Sequence, residues 1–192
     1  MAYLLTPSRY LAAEFNWCKG IGWKSEQLMD FQIGDRVVHW SYGPGEIIQV
    51  DEKELSGRKS LYYVVQIKDL TLWVPVDAAD TASLRYPTPA SDFDTLFAIM
   101  SSPGEPLSEN RLERKARLCE MMRDGKLESI CRVIRDLAYF NRTKKLSESD
   151  QSILERAQSF LLNEWEISLS VSYTQAERDL KHLLQESHPK VK

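Results

Sequence analysis

Little in this chain points to disulfide, metal or membrane chemistry. Only three of its 192 residues are cysteines: Cys18, Cys119 and Cys131. So odd and sparse a set builds no disulfide framework and fits a reducing cytoplasm, the expected compartment. The three histidines, His39, His182 and His188, are also scattered. None stands at ligand spacing from a cysteine or a second histidine, so no structural zinc and no other cofactor is expected. No apolar run approaches the ~20 residues that cross a bilayer. No basic segment followed by a long apolar stretch opens the chain, so it is read without a signal peptide. Positive charge is not in excess either. Against 25 Lys and Arg stand 28 Asp and Glu, a formal net charge of −3. A protein that attracts phosphate over its whole surface is thereby excluded, and any DNA contact falls to a local patch or needs a partner's help.

What is present suffices for a core. Hydrophobic residues make up 43% and charged residues 28% of the chain, which rules out global disorder. The length suits one large domain or two small ones. Residues 1–30 hold Tyr3, Tyr10, Phe15, Trp17 and Trp23 but show no clean period. Residues 8–16 can form a short helix. Two readings of this part stand side by side: a poorly ordered or partly helical extension, or an upstream addition to a chain that naturally starts at Met29.

From Phe31 to Arg85 the pattern is β. Arg36 to Trp40, Glu46 to Val50, Leu61 to Ile67 and Thr71 to Pro75 read as strands, and Ala82 to Arg85 as a short fifth. Ser41-Tyr42-Gly43-Pro44-Gly45 is a turn cluster, and the polar stretch Asp51 to Ser60 reads as a hairpin connection. Short strands with close turns predict a small barrel. The prolines of Tyr86-Pro87-Thr88-Pro89 mark a linker. Beyond it the period becomes helical. Helices are predicted over Ser91–Ser101, Ser108–Arg123 with Ser108 as the cap, and Leu127–Asn141. A fourth starts at the Ser147-Glu148-Ser149-Asp150 capping box, and a last one covers Thr174–Leu184. Short connections between them predict a bundle.

Other features carry no chemistry. Gly43-Pro44-Gly45 is not followed by the Lys-Ser/Thr of a phosphate loop. Cys119 and Cys131 read as inert core residues on apolar helix faces. His39 reads as solvent-facing on the first strand, and Asp69 and Asp77 as turn formers. No catalytic constellation supports an enzyme.

Several blocks occur together and in order. Phe31-Gln32-Ile33-Gly34-Asp35-Arg36-Val37-Val38 is followed by Tyr42-Gly43-Pro44-Gly45, Tyr62-Tyr63-Val64-Val65, Leu72-Trp73-Val74-Pro75-Val76 and Leu84-Arg85. In the helical half come Lys115-Ala116-Arg117-Leu118, Asp124-Gly125-Lys126, Val133-Ile134-Arg135-Asp136-Leu137 and Lys145-Leu146-Ser147. From Phe31 to about Leu169 this series resembles the CarD family of bacterial transcription factors. The resemblance implies an α+β chain of two domains. One is a small Tudor- or SH3-like antiparallel β-barrel over residues 31–86, similar to the polymerase-interacting module of the transcription-repair coupling factor. The other is an all-α helical bundle over residues 90–187. The barrel is then expected to pair edge strands with the RNA polymerase β subunit. The bundle is expected to touch promoter DNA at the upstream bubble edge and to stabilise the open complex, the protein acting as a monomer.

By alignment, Lys53 and Leu55 occupy a first docking hairpin and Trp73 a second, and with Pro75 beside it these are the expected polymerase contacts. The family often has Arg at the position of Trp73, but an exposed Trp anchors an interface well. Leu72 and Val74 should turn inward beside it. The candidate DNA contacts are Asn110, Arg111, Arg114, Lys115 and Arg117. Between Glu105 and Lys145 eleven basic residues stand against seven acidic ones. Arg111, Arg114 and Lys115, three and four apart, are read as one helix face that neutralises phosphates. The family's wedging Trp is replaced here by Asn110, which cannot hold a base step open. That departure keeps a second reading in play, an interaction module that binds polymerase or another protein without touching DNA.

Overall fold

A computed structural model of the chain describes residues 31–55, 58–76 and 83–186. The readings of residues 1–30 lie outside them, as do Cys18 and Asp77. The described strands are β1 (Arg36–His39), β2 (Gly43–Leu55), β3 (Arg58–Ile67), β4 (Leu70–Pro75) and β5 (Leu84–Arg85). They form one antiparallel sheet in the order β4-β3-β2-β1-β5. A single turn of 3-10 helix, Ala90–Asp92, leads into α1 (Phe93–Ser101), α2 (Arg111–Arg123), α3 (Leu127–Thr143), α4 (Glu148–Leu169) and α5 (Tyr173–Glu186). The class is α+β.

The sheet curls over a core of Phe31, Val37, Ile47, Tyr63, Val65, Ile67, Val74 and Leu84. Alternation explains this set, since successive side chains of a strand point to opposite faces. The two glycines that open β2 are needed for different reasons. Gly43 has φ +86°, a conformation costly to any residue with a Cβ. At Gly45 a Cβ would lie 2.6 Å from the Gln66 carbonyl oxygen, so β2 can approach β3 there only without a side chain. A register shift between Ile47 and Gln49 marks a bulge, which bends the strand.

Two expectations about the sheet are corrected. A closed barrel is not formed: among the described residues β4 and β5 do not pair, and each is an edge. Physically, β5 is two residues long and satisfies its backbone against β1 alone. The stretch from Asp51 to Ser60 is also mostly strand rather than connection, with Asp51 to Leu55 paired to Arg58 to Tyr62. Backbone pairing continues past the core because it needs no apolar side chain.

The helices enclose a second core around α3, which buries Leu127, Ile130, Cys131, Val133, Ile134, Leu137 and Phe140. Together these cover more than one face, because α1, α2 and α4 all pack against α3. The cap of α2 is Asn110, not Ser108: its side chain accepts from the amides of Leu112 and Glu113. Ser108 instead accepts from the Asn110 amide and donates to Glu113. The capping box at Ser147 and Asp150 is formed as expected. Cys119 corrects the core reading, being exposed on α2, whereas Cys131 is buried.

One buried ion pair ties α2 to α4. Arg114 donates from Nε to Asp150 Oδ1 at 3.0 Å and from Nη2 to Oδ2 at 2.7 Å. Its Nη1 reaches the Ser108 carbonyl at 2.6 Å, and its guanidinium lies 4.7 Å from the centre of the Phe140 ring. Asp150 also accepts from the amide and hydroxyl of Ser147. Burial by itself would raise the Asp150 carboxyl, but the Arg114 and Ser147 hydrogen bonds outweigh it and hold it below the usual carboxylate range. Removing one partner strands a buried charge, at a cost of about 3–5 kcal/mol. Arg114→Ala and Asp150→Asn should therefore each lose stability of that order in denaturant titrations at neutral pH. Because the folded Asp150 is the stronger acid, its contribution is complete above the unfolded Asp value of about 3.9. It disappears as the pH falls through the lower folded value. The stability gap between the wild type and Asp150→Asn should narrow over that acid range.

Candidate functional site

Period 2 brings three of the four sheet-borne candidates to one face. In register, Trp73 opposes Val64, Pro75 opposes Tyr62, and Tyr62 opposes Asp51. Lys53, two residues on from Asp51, therefore shares a face with Trp73 and Pro75. Lys53 Nζ lies 3.0 Å from the Trp73 ring centre, a cation–π contact. Tyr62 meets the same indole edge-on at 6.5 Å. Trp73 is 38% exposed, while Val74 beside it is buried in the core and Leu72 packs against it. Leu55 ends β2, with its side chain outside the described residues. Among the described residues the outer edge of β4 thus has no paired strand and lies beside an indole and an ammonium, a template for a further strand.

On α2 the candidates divide. Arg111 and Lys115 are exposed and have no ion-pair partner among the described residues. Arg117 is exposed and lies 3.4 Å from Glu105. Arg114 corrects the expected basic face: at 3% exposure it belongs to the interior. The reason is spacing, since position 114 falls on the side of α2 that packs on α3 and α4, with Leu118 one turn on. Asn110 spends its side-chain oxygen on capping. Sequence reading missed Leu112, which stands in the first turn of α2 at 79% exposure. A leucine between Arg111 and Glu113, off the buried spacing of 114 and 118, was the available signal.

His39 is also corrected. It is 9% exposed, and its Nδ1 accepts from the Ser41 amide at 3.0 Å. Burial lowers its pKa, so the ring stays neutral near pH 7.

The sheet and the helices are joined by a contact that sequence reading did not find. Arg85 on β5 donates from Nη1 and Nη2 to the two carboxylate oxygens of Glu164, at 2.6 and 2.7 Å. Its Nε donates to the Gly125 carbonyl at 3.0 Å. Glu164 also accepts from the Thr88 amide at 2.8 Å and is 1% exposed. Gly125 has φ +66°, and a Cβ there would come 2.9 Å from the Cβ of Trp40. The helix connection and the first hairpin therefore touch only because that residue is glycine. The signal was Glu164 itself, a lone acid within the apolar stretch Leu161-Leu162-Asn163-Glu164-Trp165.

Comparison with known proteins gives these surfaces a context. The family model of the CarD-like/TRCF RID domain matches residues 31–86, and that of the CarD C-terminal domain matches residues 95–181. The chain belongs to the CarD family. YdeB of Bacillus subtilis (strain 168), a candidate transcription factor, is 29% identical over 150 residues, which cover 76% of this chain and 96% of that protein. In this CarD-family chain the RID match ends one residue past Arg85, so the Arg85–Glu164 pair lies across the two matched regions.

Disrupting that pair has a predictable signature. Glu164→Ala should destabilise the protein by about 2–4 kcal/mol, since the half-buried Arg85 guanidinium and one backbone donor lose their partner. Hydrogen exchange at the Thr88 amide should speed up, and small-angle scattering should report a larger radius of gyration. An unchanged radius would mean that packing alone holds the two parts together.

Proposed function

We propose that the protein is a transcription regulator that docks on the RNA polymerase β subunit through its sheet and contacts promoter DNA near the upstream bubble edge through its helices. The open complex is stabilised, and no reaction is catalysed. Residues 31–86 form the polymerase-interacting domain, of Tudor- or SH3-like kind, and residues 90–187 the DNA-contacting one. The protein acts as a monomer in the cytoplasm. The observation that carries this reading is the β4 edge, unpaired among the described residues, with Lys53, Trp73 and Pro75 on one face, in the region that matches the RID model. Main-chain pairing with an added strand supplies affinity, and the alternate side chains supply specificity.

The DNA side is narrower. Arg111, Lys115 and Arg117 are available for phosphates, which fix position without reading bases. Arg114 supports them from inside by holding α2 to α4. Asn110, at the wedge position, orients the first turn of α2, and Leu112 is the exposed apolar side chain closest to it. The reading without DNA keeps one specific support: Arg114 and Asn110 are both spent on structure.

Trp73→Glu combined with Lys53→Glu should cut co-purification of RNA polymerase by tenfold or more, with unchanged circular dichroism. Retained binding would move the docking surface elsewhere. Arg111→Glu with Lys115→Glu should shorten open-complex lifetime on a native promoter while polymerase binding persists. Removing each phosphate-binding cation should also flatten the salt dependence of DNA binding by about 0.9 in log–log slope. An unaltered lifetime would favour the module that does not touch DNA.

A further inference from the structure

A cleft of about 290 Å³ opens where the β1–β2 turn meets α2 and α4. Its size is close to the low end for small-molecule sites, about 300 Å³. Trp40, Met122, Ile153 and Phe160 supply apolar walls, while Arg123 and Arg156 supply charge. Among the described residues no carboxylate lines it. Arg123, at the end of α2, has no ion-pair partner among the described residues. The Arg156 guanidinium stacks over the Phe160 ring at 5.5 Å and donates to the Ser41 carbonyl and hydroxyl at 3.4 and 3.2 Å. These partners are neutral, so its charge also remains uncompensated. Trp40 is 39% exposed.

The combination is selective. Two uncompensated guanidiniums at the lining of an apolar cleft oppose a purely apolar occupant and favour an anion. Aromatic walls favour a flat body, because ring faces stack at little entropic cost. We propose that this cleft binds a nucleotide, with the base against Trp40 and the phosphate held by Arg123 and Arg156. The position fits that chemistry. Arg111, Lys115, Cys119 and Met122 follow one another along one face of α2 at helical spacing. The exposed basic face of that helix therefore runs into the cleft. The same chemistry comes from two sources, a free nucleotide or an unpaired nucleotide of a single strand. The inference does not rest on polymerase docking, and its test uses the protein alone.

Cys119 lines the cleft and serves as the reporter. Cys131 is buried, and burial pushes its thiol up to about 12, so it stays silent. In full-length protein carrying Cys18→Ser, alkylation of Cys119 by N-ethylmaleimide is followed with added AMP or with a short single-stranded oligonucleotide. The Trp40 indole resonance is followed in parallel. Protection by AMP assigns the site to free nucleotides. Protection by the oligonucleotide alone assigns it to an unpaired strand. Arg123→Gln, on the exposed end of α2, should weaken either ligand roughly tenfold while leaving the fold intact. Arg156→Gln should do the same, but it also loosens the Ser41 contact, so Arg123→Gln decides. Neither ligand altering the Cys119 rate or the Trp40 signal at millimolar concentration overturns the proposal. Binding that ignores Arg123→Gln overturns it as well.

Discussion

The Glu164 carboxylate is the point on which the rest of the structure turns. A carboxylate removed from water costs several kcal/mol unless nearly all its lone pairs are satisfied. Here both oxygens meet the Arg85 guanidinium, and one also meets the Thr88 amide. The two partners come from the last strand and the connection after it, while Glu164 itself stands on the fourth helix. Satisfying Glu164 therefore requires that sheet, connection and bundle be in place together. The connection has little freedom of its own, since Pro87 and Pro89 each fix one backbone angle. On the proposed function, polymerase is held by one part and DNA by another, which needs a set distance between them; a half-buried bidentate pair provides it better than fully exposed charges do.

Arginine fills two unlike roles within a few residues of α2. Arg114 points inward and is neutralised by Asp150, while Arg111 and Lys115 on either side point to solvent. The inward arginine stabilises the helix that displays the outward ones. The basic surface is consequently smaller than the run of charges implies, and it depends on Asp150, a residue buried behind it. The overall charge of −3 leaves any phosphate contact, on the proposed function, to a local patch of this kind.

Legibility in the sequence follows the range of the interaction that decides each feature. The alternation in β3 and β4 and the apolar spacing of α3 are local patterns, and they placed those elements within a few residues. The Ser147 capping box was readable because donor and acceptor lie three positions apart. Arg114 was not readable, because its partner lies 36 positions away and a charge run looks the same whether one member is buried or not. The α2 cap moved from Ser108 to Asn110 because both residue types cap well, and only the packing of Leu118 and Arg114 sets where the helix begins. His39 was misread for a related reason: alternation gives the face of a strand but not what covers that face. The extended β2–β3 hairpin was hidden because backbone pairing leaves no apolar signature.

The free edge of β4 raises a difficulty that the Lys53–Trp73 contact helps to resolve. An unpaired edge beside an exposed indole invites a second copy of the chain as readily as a partner. Lys53 Nζ lies over that indole at 3.0 Å, so a strand added there that uses the indole also meets a cation on the same face. Two copies meeting edge to edge would each bring the same charge, whereas a partner with a carboxylate or carbonyl at that place gains by it. On the proposed reading, affinity comes from backbone pairing that is blind to sequence. Discrimination then comes from one lysine on one tryptophan, the same pair whose like charges on two copies oppose pairing of the edge with itself.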